Sequence, residues 1–186
     1  MVIYVTNRKL CRDDFLDRIG SLAKSRPHAI MLREKDLEPD EYEALASKVK
    51  EICGKNGVRL IVNGYIGAAS KLGITCIHLS MSDMRLHAAV LADFSWVGAS
   101  VHNVCEAQEA QELGASYLIT GHIFTTDCKK GVPPRGLSFL REVCDSVTVP
   151  VFAIGGITTD RVEDVMSMGA KGICLMSEAM TCKNTQ

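Results

Sequence analysis

Eight short apolar runs, separated by segments with helical patterning, are the feature that most constrains the fold of this chain. Each run has four or five mostly aliphatic residues, which is typical of parallel strands covered on both faces. Parallel neighbours need a crossover connection, so the alternation predicts a parallel sheet with helices packed outside it. The runs are at residues 2–6, 29–33, 60–63, 76–80, 96–100, 117–121, 151–155 and 173–177.

Three intervening segments carry recognisable helix boundaries. Residues 38–57 have Pro39 near their start and apolar residues at a spacing of three or four, and we expect Gly54 and Gly57 to end the helix. Residues 103–115 and 158–170 each start near an Asn or Thr, and a glycine lies near the end of each. These patterns predict strand–helix units along the whole chain.

Eight such units predict an α/β fold, a (β/α)8 TIM barrel formed by residues 1–186 as a single domain. About 250 residues is typical of this barrel, so we expect a short version. Nine residues follow Ser177, which predicts a curtailed last helix. The alternative is a doubly wound open sheet, but the glycine-rich G-x-G-x-x-G turn expected after its first strand is absent.

Composition excludes several classes of function. The formal net charge is -1, from 21 basic and 22 acidic residues, which argues against a nucleic-acid partner. No apolar run approaches the ~20 residues of a membrane span, and the first residues do not resemble a signal peptide. The eight cysteines contain no C-x-x-C pair, which argues against a zinc site of that spacing. We therefore expect reduced cysteines, a cytoplasmic protein and no membrane partner.

Polar residues follow seven of the predicted strands. In a barrel the carboxyl ends of the strands form the active-site face, so the joint pattern predicts one shared pocket. Any one of these residues could instead be an ordinary turn residue. The set consists of Arg33, Lys35, Asn63, Ser80, His102, His122, Gly155, Gly156 and Ser177.

The Gly155-Gly156 turn is the predicted phosphate site. Two glycines let the backbone approach an anion, and the amide groups at the start of the following helix point towards it. Ser177 and Met176, after the last strand, supply a second small turn beside it. An ordinary strand–helix turn is the alternative interpretation.

The loop "GHIFTTDCKKG" (121–131) concentrates reactive side chains. His122 directly follows a strand, and histidine is the usual residue for moving a proton near neutral pH. Taken alone, such a histidine is more often a core or capping residue. Thr126, Lys129 and Lys130 in the same loop favour catalysis. Cys128 is a possible nucleophile, although no motif supports that role.

Four other residues are weaker candidates. His102 could contact a ligand. Arg33 and Lys35 could bind an anionic group or be a solvated strand end, and strand alternation would turn Glu34 the other way. Asp83 could hold a metal, but a single carboxylate is weak evidence for a magnesium site.

Several motifs together resemble the thiamine phosphate synthase/TenI superfamily of (β/α)8 barrels. The resemblance covers nearly the whole chain, and the motifs occur in the order of that family. They are "IYVTNR", "MLREKD", "LIVNG", "IHLSMSDM", "GASVHNVCEA", "GHIFTTDCKKG" and "VFAIGGIT" followed by "GAKGICLMS".

The superfamily has two main activities, and four positions separate them. The synthase pattern has a metal-binding Asp where this chain has Gly64, a proline at His122, a pyrophosphate-contacting threonine at Cys128 and a glutamine at Met31. Asp83 matches the second metal carboxylate. The tautomerase pattern has Asn-Gly after the third strand and a catalytic histidine at His122. The resemblance therefore implies a thiazole tautomerase closest to TenI.

The implied reaction converts a non-aromatic thiazole carboxylate phosphate into its aromatic tautomer. His122 would move the proton from ring carbon C2 to the exocyclic carbon. Gly155, Gly156, Met176 and Ser177 would bind the phosphate. Further substrate contacts are expected from Arg33, Lys35, Asn63, His102, Thr126 and Lys129. The resemblance implies no metal or organic cofactor, and it suggests a homodimer.

Three alternatives remain open at this stage. The chain could be a thiamine phosphate synthase, which joins a pyrimidine pyrophosphate to a thiazole phosphate with magnesium. It could be a non-catalytic regulatory or ligand-binding protein of the TenI type, which would leave His122 unexplained. It could also be another isomerase that acts on a phosphorylated small molecule.

Overall fold

Eight parallel strands follow one another in chain order around a closed barrel in the computed structural model, which describes residues 1–182. This confirms the predicted barrel over the doubly wound sheet. Each predicted strand is present, and its ends differ from the prediction by at most two residues. The strands are β1 (Val2–Val5), β2 (Ala29–Leu32), β3 (Arg59–Asn63), β4 (Cys76–Ser80), β5 (Trp96–Val101), β6 (Tyr117–Gly121), β7 (Val151–Ile154) and β8 (Gly172–Leu175).

A helix follows each strand in the described part of the chain. The helices are α1 (Phe15–Lys24), α2 (Pro39–Lys55), α3 (Ile66–Lys71), α4 (Met81–Leu86), α5 (Val104–Glu112), α6 (Gly136–Ser146), α7 (Val162–Ser167) and α8 (Ser177–Thr181). Short 3-10 turns cover residues 8–10, 88–93, 127–129 and 159–161. None of the helices within residues 1–182 is long and apolar enough to cross a membrane.

The longest helix, α2, shows how the sequence sets helix boundaries. Pro39 opens it, and Glu38 and Glu41 form a reciprocal capping box. Its buried residues are spaced by three or four, as an amphipathic helix requires. The helix continues through Gly54, where an end was predicted, and ends at Lys55, two residues before the predicted stop at Gly57 (φ 65°).

Two further predictions concern the last helices. The segment expected to form one helix after β7 is a 3-10 turn followed by the six residues of α7. The prediction of a curtailed last helix concerns α8, which has five residues in the described chain. Residues 183–186, on which that prediction also rests, lie outside the described residues.

The chain divides into two compact units. Within the described residues, the β1–β4 unit comprises Val2–His78 and residues 175–182, and the β5–β8 unit comprises Met1 and Leu79–Cys174. In the β1–β4 unit, all four residues of β2 are buried, as predicted for a strand covered on both faces.

Three aromatic rings of the β5–β8 unit pack against one another. The Tyr117 ring stacks on Trp96 at 4.2 Å between ring centroids and meets the edge of Phe152 at 5.8 Å. A Cβ atom at position 98 would lie 2.1 Å from the Tyr117 ring, so only glycine fits there. Cys174 is buried in β8, and burial raises the pKa of its thiol.

Candidate active site

In the segment after β2, the side chain of Glu34 is buried, whereas its neighbours Arg33 and Lys35 are more exposed. The Glu34 carboxylate is buried and accepts a hydrogen bond from Thr6 Oγ1 at 2.6 Å. Each of its oxygens also accepts from the Arg8 backbone N–H at 3.1 Å. Arg33 is half-buried and Lys35 is exposed, which agrees with the alternation expected from the sequence.

At the end of β3, Asn63 and Gly64 are tied to the neighbouring strand. Asn63 Nδ2 and the Gly64 N–H both donate to the His78 carbonyl, at 3.3 and 3.0 Å. Gly64 has φ 81°, a left-handed conformation that glycine adopts without steric cost. This position therefore offers a backbone turn and no carboxylate.

His78 lies below these residues in β4 and is fully buried. Burial, with smaller contributions from the charges of Arg33 and Lys35, lowers its pKa to about 3. The imidazole is therefore neutral at physiological pH and adds no further positive charge beside Arg33 and Lys35.

The end of β4 supplies a carboxylate, Asp83. Ser80 Oγ caps α4 by accepting from the Asp83 N–H at 3.2 Å, and the same hydroxyl donates to Asp83 Oδ2 at 2.6 Å. Within residues 1–182, no group of three or more His, Cys, Asp or Glu side chains is arranged to hold a metal ion. One carboxylate together with substrate phosphate oxygens is still compatible with magnesium.

His122, directly after β6, is 5% exposed. Its Nε2 lies 3.2 Å from the Val132 carbonyl oxygen. A carbonyl can only accept, so Nε2 is the donor in this hydrogen bond. The other ring nitrogen, Nδ1, is buried and has no hydrogen-bond partner among the described residues. The ring is therefore oriented by Nε2 and leaves Nδ1 without a protein partner in this part of the chain.

The two glycines after β7 pack directly on the His122 loop. Gly155 and Gly156 have φ 98° and 67°. A Cβ atom at Gly155 would lie 2.3 Å from His122 Cβ, and one at Gly156 would lie 2.4 Å from the Thr125 carbonyl oxygen. The two positions must therefore be glycine for the turn after β7 to pack this closely against the His122 loop. The predicted phosphate role of these glycines stays a prediction.

From Phe124 onward, the loop after β6 is exposed or half-buried. Thr126 Oγ1 accepts from the Cys128 N–H at 3.5 Å and begins the 3-10 turn at 127–129. Cys128 and Lys129 are both exposed. Lys130 lies 3.9 Å from Asp127 in a fully solvated pair. The cations of this loop are therefore accessible to an anionic ligand.

The remaining predicted site residues lie at other strand ends. His102 follows β5 and is exposed, and its backbone N–H donates to the Glu106 carboxylate at 2.7 Å. Met176 is half-buried after β8, and Ser177 begins α8 and is exposed. The structure thus groups Arg33, Lys35 and Asn63 at the strand ends of the β1–β4 unit, and His122 with Gly155 in the β5–β8 unit.

Sequence reasoning missed Tyr42 and Tyr65 near this site. Tyr42 occupies a core position of α2, and its hydroxyl bonds the ends of β2 and β3. The available signal was a tyrosine at a buried helix position, because a buried tyrosine hydroxyl usually has a hydrogen-bond partner.

A basic cleft of about 610 Å³ lies at the opposite ends of the same strands. Its lining residues immediately precede β2 and β3, so it is separate from Arg33 and Asn63, which are at the carboxyl ends. The lining consists of Lys24, Arg26, Lys55, Asn56 and Gly57.

Comparison with known proteins places this site in a family. A family model described as thiamine monophosphate synthase matches residues 2–179. The chain belongs to this family. It is 34% identical to a thiamine-phosphate synthase of Fusobacterium nucleatum, over 98% of this chain and 90% of the relative. It is 38% identical to a thiamine-phosphate synthase of Clostridium botulinum, over 80% of this chain and 74% of the relative.

A solved structure supports the same placement. A thiamine phosphate pyrophosphorylase from Pyrococcus furiosus superposes with a TM-score of 0.87 and 26% sequence identity, over 98% of this chain and 88% of that chain. The family predicted from the motifs is confirmed. The finer placement beside TenI is not supported by these relatives, whose names are those of synthases.

Three positions of this chain differ from the synthase pattern of the family, and the structure shows the conformation or the contacts of each. Gly64 is a left-handed turn residue where a metal carboxylate is expected. Cys128 is an exposed thiol where a threonine is expected. His122 replaces a proline and is held with Nδ1 unpartnered among the described residues. Asp83 retains the second expected carboxylate.

Proposed function

We propose that the protein is a thiamine phosphate synthase, a transferase in which a thiazole phosphate displaces pyrophosphate from a pyrimidine pyrophosphate. The observation that carries the proposal is the 34% identity, over 98% of the chain, to a protein named as this synthase. The proposal replaces the isomerase expected from the motifs as the main function.

The charges of the candidate site suit this reaction. Arg33 and Lys35 lie outward at the end of β2, and Lys129 is exposed in the loop after β6. Pyrophosphate leaves with the bonding electron pair, so negative charge builds up on it in the transition state. Cations placed beside a departing anion lower the activation barrier. We assign Arg33, Lys35, Asn63, Thr126 and Lys129 to binding the two substrates, and Gly155, Gly156, Met176 and Ser177 to the thiazole phosphate, with His102 at the rim.

Asp83 is the residue that would hold magnesium in this reaction. When bound, the metal would neutralise charge on the pyrophosphate. Since position 64 supplies no second carboxylate, metal binding would depend on the substrate's own oxygens. We therefore expect magnesium to bind much more tightly with pyrimidine pyrophosphate than without it.

A second candidate is the thiazole tautomerase, and the arrangement of His122 favours it. The proton on ring carbon C2 would pass to Nδ1, and the resulting imidazolium would return a proton to the exocyclic carbon. The electron pair of the broken C–H bond would enter the ring, which becomes aromatic. Nδ1 has no hydrogen-bond partner among the described residues, so no protein donor competes with a substrate proton for that atom. Gly64 and Cys128 are compatible with this metal-free reaction.

One pair of assays separates the two candidates. The first mixes pyrimidine pyrophosphate, thiazole phosphate and magnesium and measures thiamine phosphate. The second supplies the non-aromatic thiazole carboxylate phosphate and follows its aromatisation by ultraviolet absorbance. We expect magnesium-dependent formation of thiamine phosphate. Aromatisation without any coupling would replace the proposed function with the second candidate.

Two variants sharpen the result. Asp83→Asn should reduce coupling and leave aromatisation unchanged. His122→Asn should reduce aromatisation by about 10²–10⁴-fold, the usual contribution of a general acid–base group, and should affect coupling far less. His28→Asn, at the amino end of β2, is the matched histidine control. Loss of coupling in His122→Asn but not in Asp83→Asn would contradict the roles proposed here for Asp83 and His122.

The expected surroundings of the enzyme follow from the same proposal. We propose a cytoplasmic homodimer whose partners are its small-molecule substrates, without a nucleic-acid or membrane partner. The near-balanced charge of -1 supports the lack of a nucleic-acid partner.

A further inference from the structure

We propose that Tyr42 and Tyr65, here called the tyrosine pair, are positioning residues that set the spacing between the Arg33–Lys35 segment and Asn63. The substrate identity in this inference rests on the proposed function, whereas the spacing itself rests on contacts within the β1–β4 unit.

The Tyr42 hydroxyl bridges the carboxyl ends of β2 and β3. The register pairs Leu32 with Val62, the last matched position of the two strands. The Asn63 N–H donates to the Tyr42 hydroxyl at 3.2 Å, and that hydroxyl donates to the Leu32 oxygen at 2.6 Å. A helix side chain therefore ties the two strand ends together where the candidate binding residues begin.

Tyr65 extends this brace to the loop that follows β2. Its ring stacks on Tyr42, with 3.8 Å between centroids and 17° between planes. Its hydroxyl donates to the Leu37 carbonyl at 2.6 Å. The two rings thus connect the end of β3 to both ends of the segment that carries Arg33 and Lys35.

A second hydroxyl fixes the other side of the same strand end. The Arg33 N–H donates to Thr6 Oγ1 at 3.0 Å, and Thr6 in turn donates to the buried Glu34 carboxylate. Arg33 therefore leaves β2 between two side-chain hydroxyls, those of Thr6 and Tyr42. This arrangement fixes its backbone on both flanks.

The Tyr42 hydroxyl keeps its hydrogen under physiological conditions. Burial is the main cause that raises the pKa of Tyr42 above its usual value. A neutral hydroxyl donates once and accepts at the same time, which is what Leu32 and Asn63 require. A phenylalanine would fill almost the same core volume without bonding Leu32 and Asn63, so the hydroxyl has a role that packing does not explain.

The test compares Tyr42→Phe, Tyr65→Phe and the control Tyr117→Phe. Tyr117 is also fully buried, but it begins β6 at the amino end of the strand. Coupling kinetics with both substrates give KM and kcat, and crystal structures give the distance from Asn63 N to Leu32 O. We expect Tyr42→Phe to raise KM about tenfold with kcat little changed, the pattern of lost ground-state binding. Tyr65→Phe should have a smaller effect in the same direction.

In the Tyr42→Phe structure, we expect the distance from Asn63 N to Leu32 O to differ from that in the wild-type protein, whereas Tyr117→Phe should leave this distance unchanged. Tyr117→Phe should lower the Tm by a comparable amount but leave KM unchanged. Equal KM values for Tyr42→Phe and Tyr117→Phe would show that Tyr42 is only a packing residue and would overturn the inference.

A failure of the proposed function can be told apart from a failure of this inference by measuring ligand binding. If the wild-type protein neither couples nor aromatises its substrates, calorimetric titrations with thiazole phosphate and with inorganic pyrophosphate replace the kinetics. Weaker binding by Tyr42→Phe than by Tyr117→Phe then supports the positioning role, and equal affinities contradict it. A wild-type protein that binds neither ligand overturns both proposals.

Discussion

Gly155 and His122 show how a single missing side chain can determine the geometry of a candidate active site. The Gly155 backbone lies so close to His122 that a Cβ atom would overlap with His122 Cβ at 2.3 Å. The His122 ring is also anchored through Nε2 to the Val132 carbonyl. The orientation of Nδ1 therefore depends on a glycine in the following strand–helix unit.

This dependence predicts the effect of Gly155→Ala, for which the chain offers a matched control. Gly114 has a similar φ of 93°, but a Cβ atom there would meet nothing within 4 Å. A left-handed conformation costs an alanine about 1–2 kcal/mol in either variant. Overpacking should add roughly 1–3 kcal/mol at Gly155 only. Denaturant unfolding checks the difference, and equal losses for the two variants would refute the proposed contact.

The same comparison has a functional readout. Gly155→Ala should displace His122 and reduce turnover in the assay that His122 serves, whereas Gly114→Ala should retain it. A folded Gly155→Ala protein with full activity in both assays would show that His122 tolerates displacement.

At the scale of secondary-structure elements, β4 introduces a pH-sensitive group beneath the candidate site. The pKa of His78 is about 3 in the folded protein, whereas a histidine in an unfolded chain has a pKa of 6.5. Between these values, the unfolded state binds a proton that the folded state does not. Stability therefore rises with pH in this window and falls as the pH drops from about 6.5 towards 3.

The predicted loss is about 1.4 kcal/mol for each pH unit within this window. Between pH 7.5 and 5.0, we expect His78 to account for roughly 2 kcal/mol of lost stability. Urea unfolding at the two pH values measures it. The loss should shrink in His78→Gln but not in His102→Gln, which changes an exposed histidine. An unchanged pH dependence in His78→Gln would show that His78 does not carry the effect.

The helices were predicted less completely than the strands, for local reasons. In α2, the capping residues and apolar spacing were visible in the sequence, and the helix formed almost as predicted. After β7, the predicted single helix is a 3-10 turn and a short α7. Boundary signals identify where a helix can start, but they do not determine how tightly its first turn winds.

At the scale of the whole molecule, closure of the sheet follows from the number and spacing of the apolar runs. Eight strands of four to six residues pair in parallel in chain order, and the superposition on the Pyrococcus furiosus protein covers 98% of the chain. The family assignment is equally broad, since the family model matches residues 2–179.

The proposed homodimer is the prediction that belongs to this scale. Light scattering coupled to size-exclusion chromatography should give twice the 20.3 kDa mass of one chain. Protein-concentration dependence of the measured mass would indicate a weak dimer. A single-chain mass across the accessible range of concentration would contradict the proposal.

The strand–helix repeat, the barrel and the family could be predicted from the amino-acid sequence, because they depend on hydrophobic periodicity and on motifs that are contiguous in the chain. The same reasoning identified most polar residues at the strand ends, including Arg33, Asn63 and His122. Which of their atoms are available became clear only from the folded structure. The unpartnered Nδ1 of His122, the inward anchor of Glu34 and the Tyr42 bridge between β2 and β3 arise from contacts between residues distant in sequence, which periodicity does not encode.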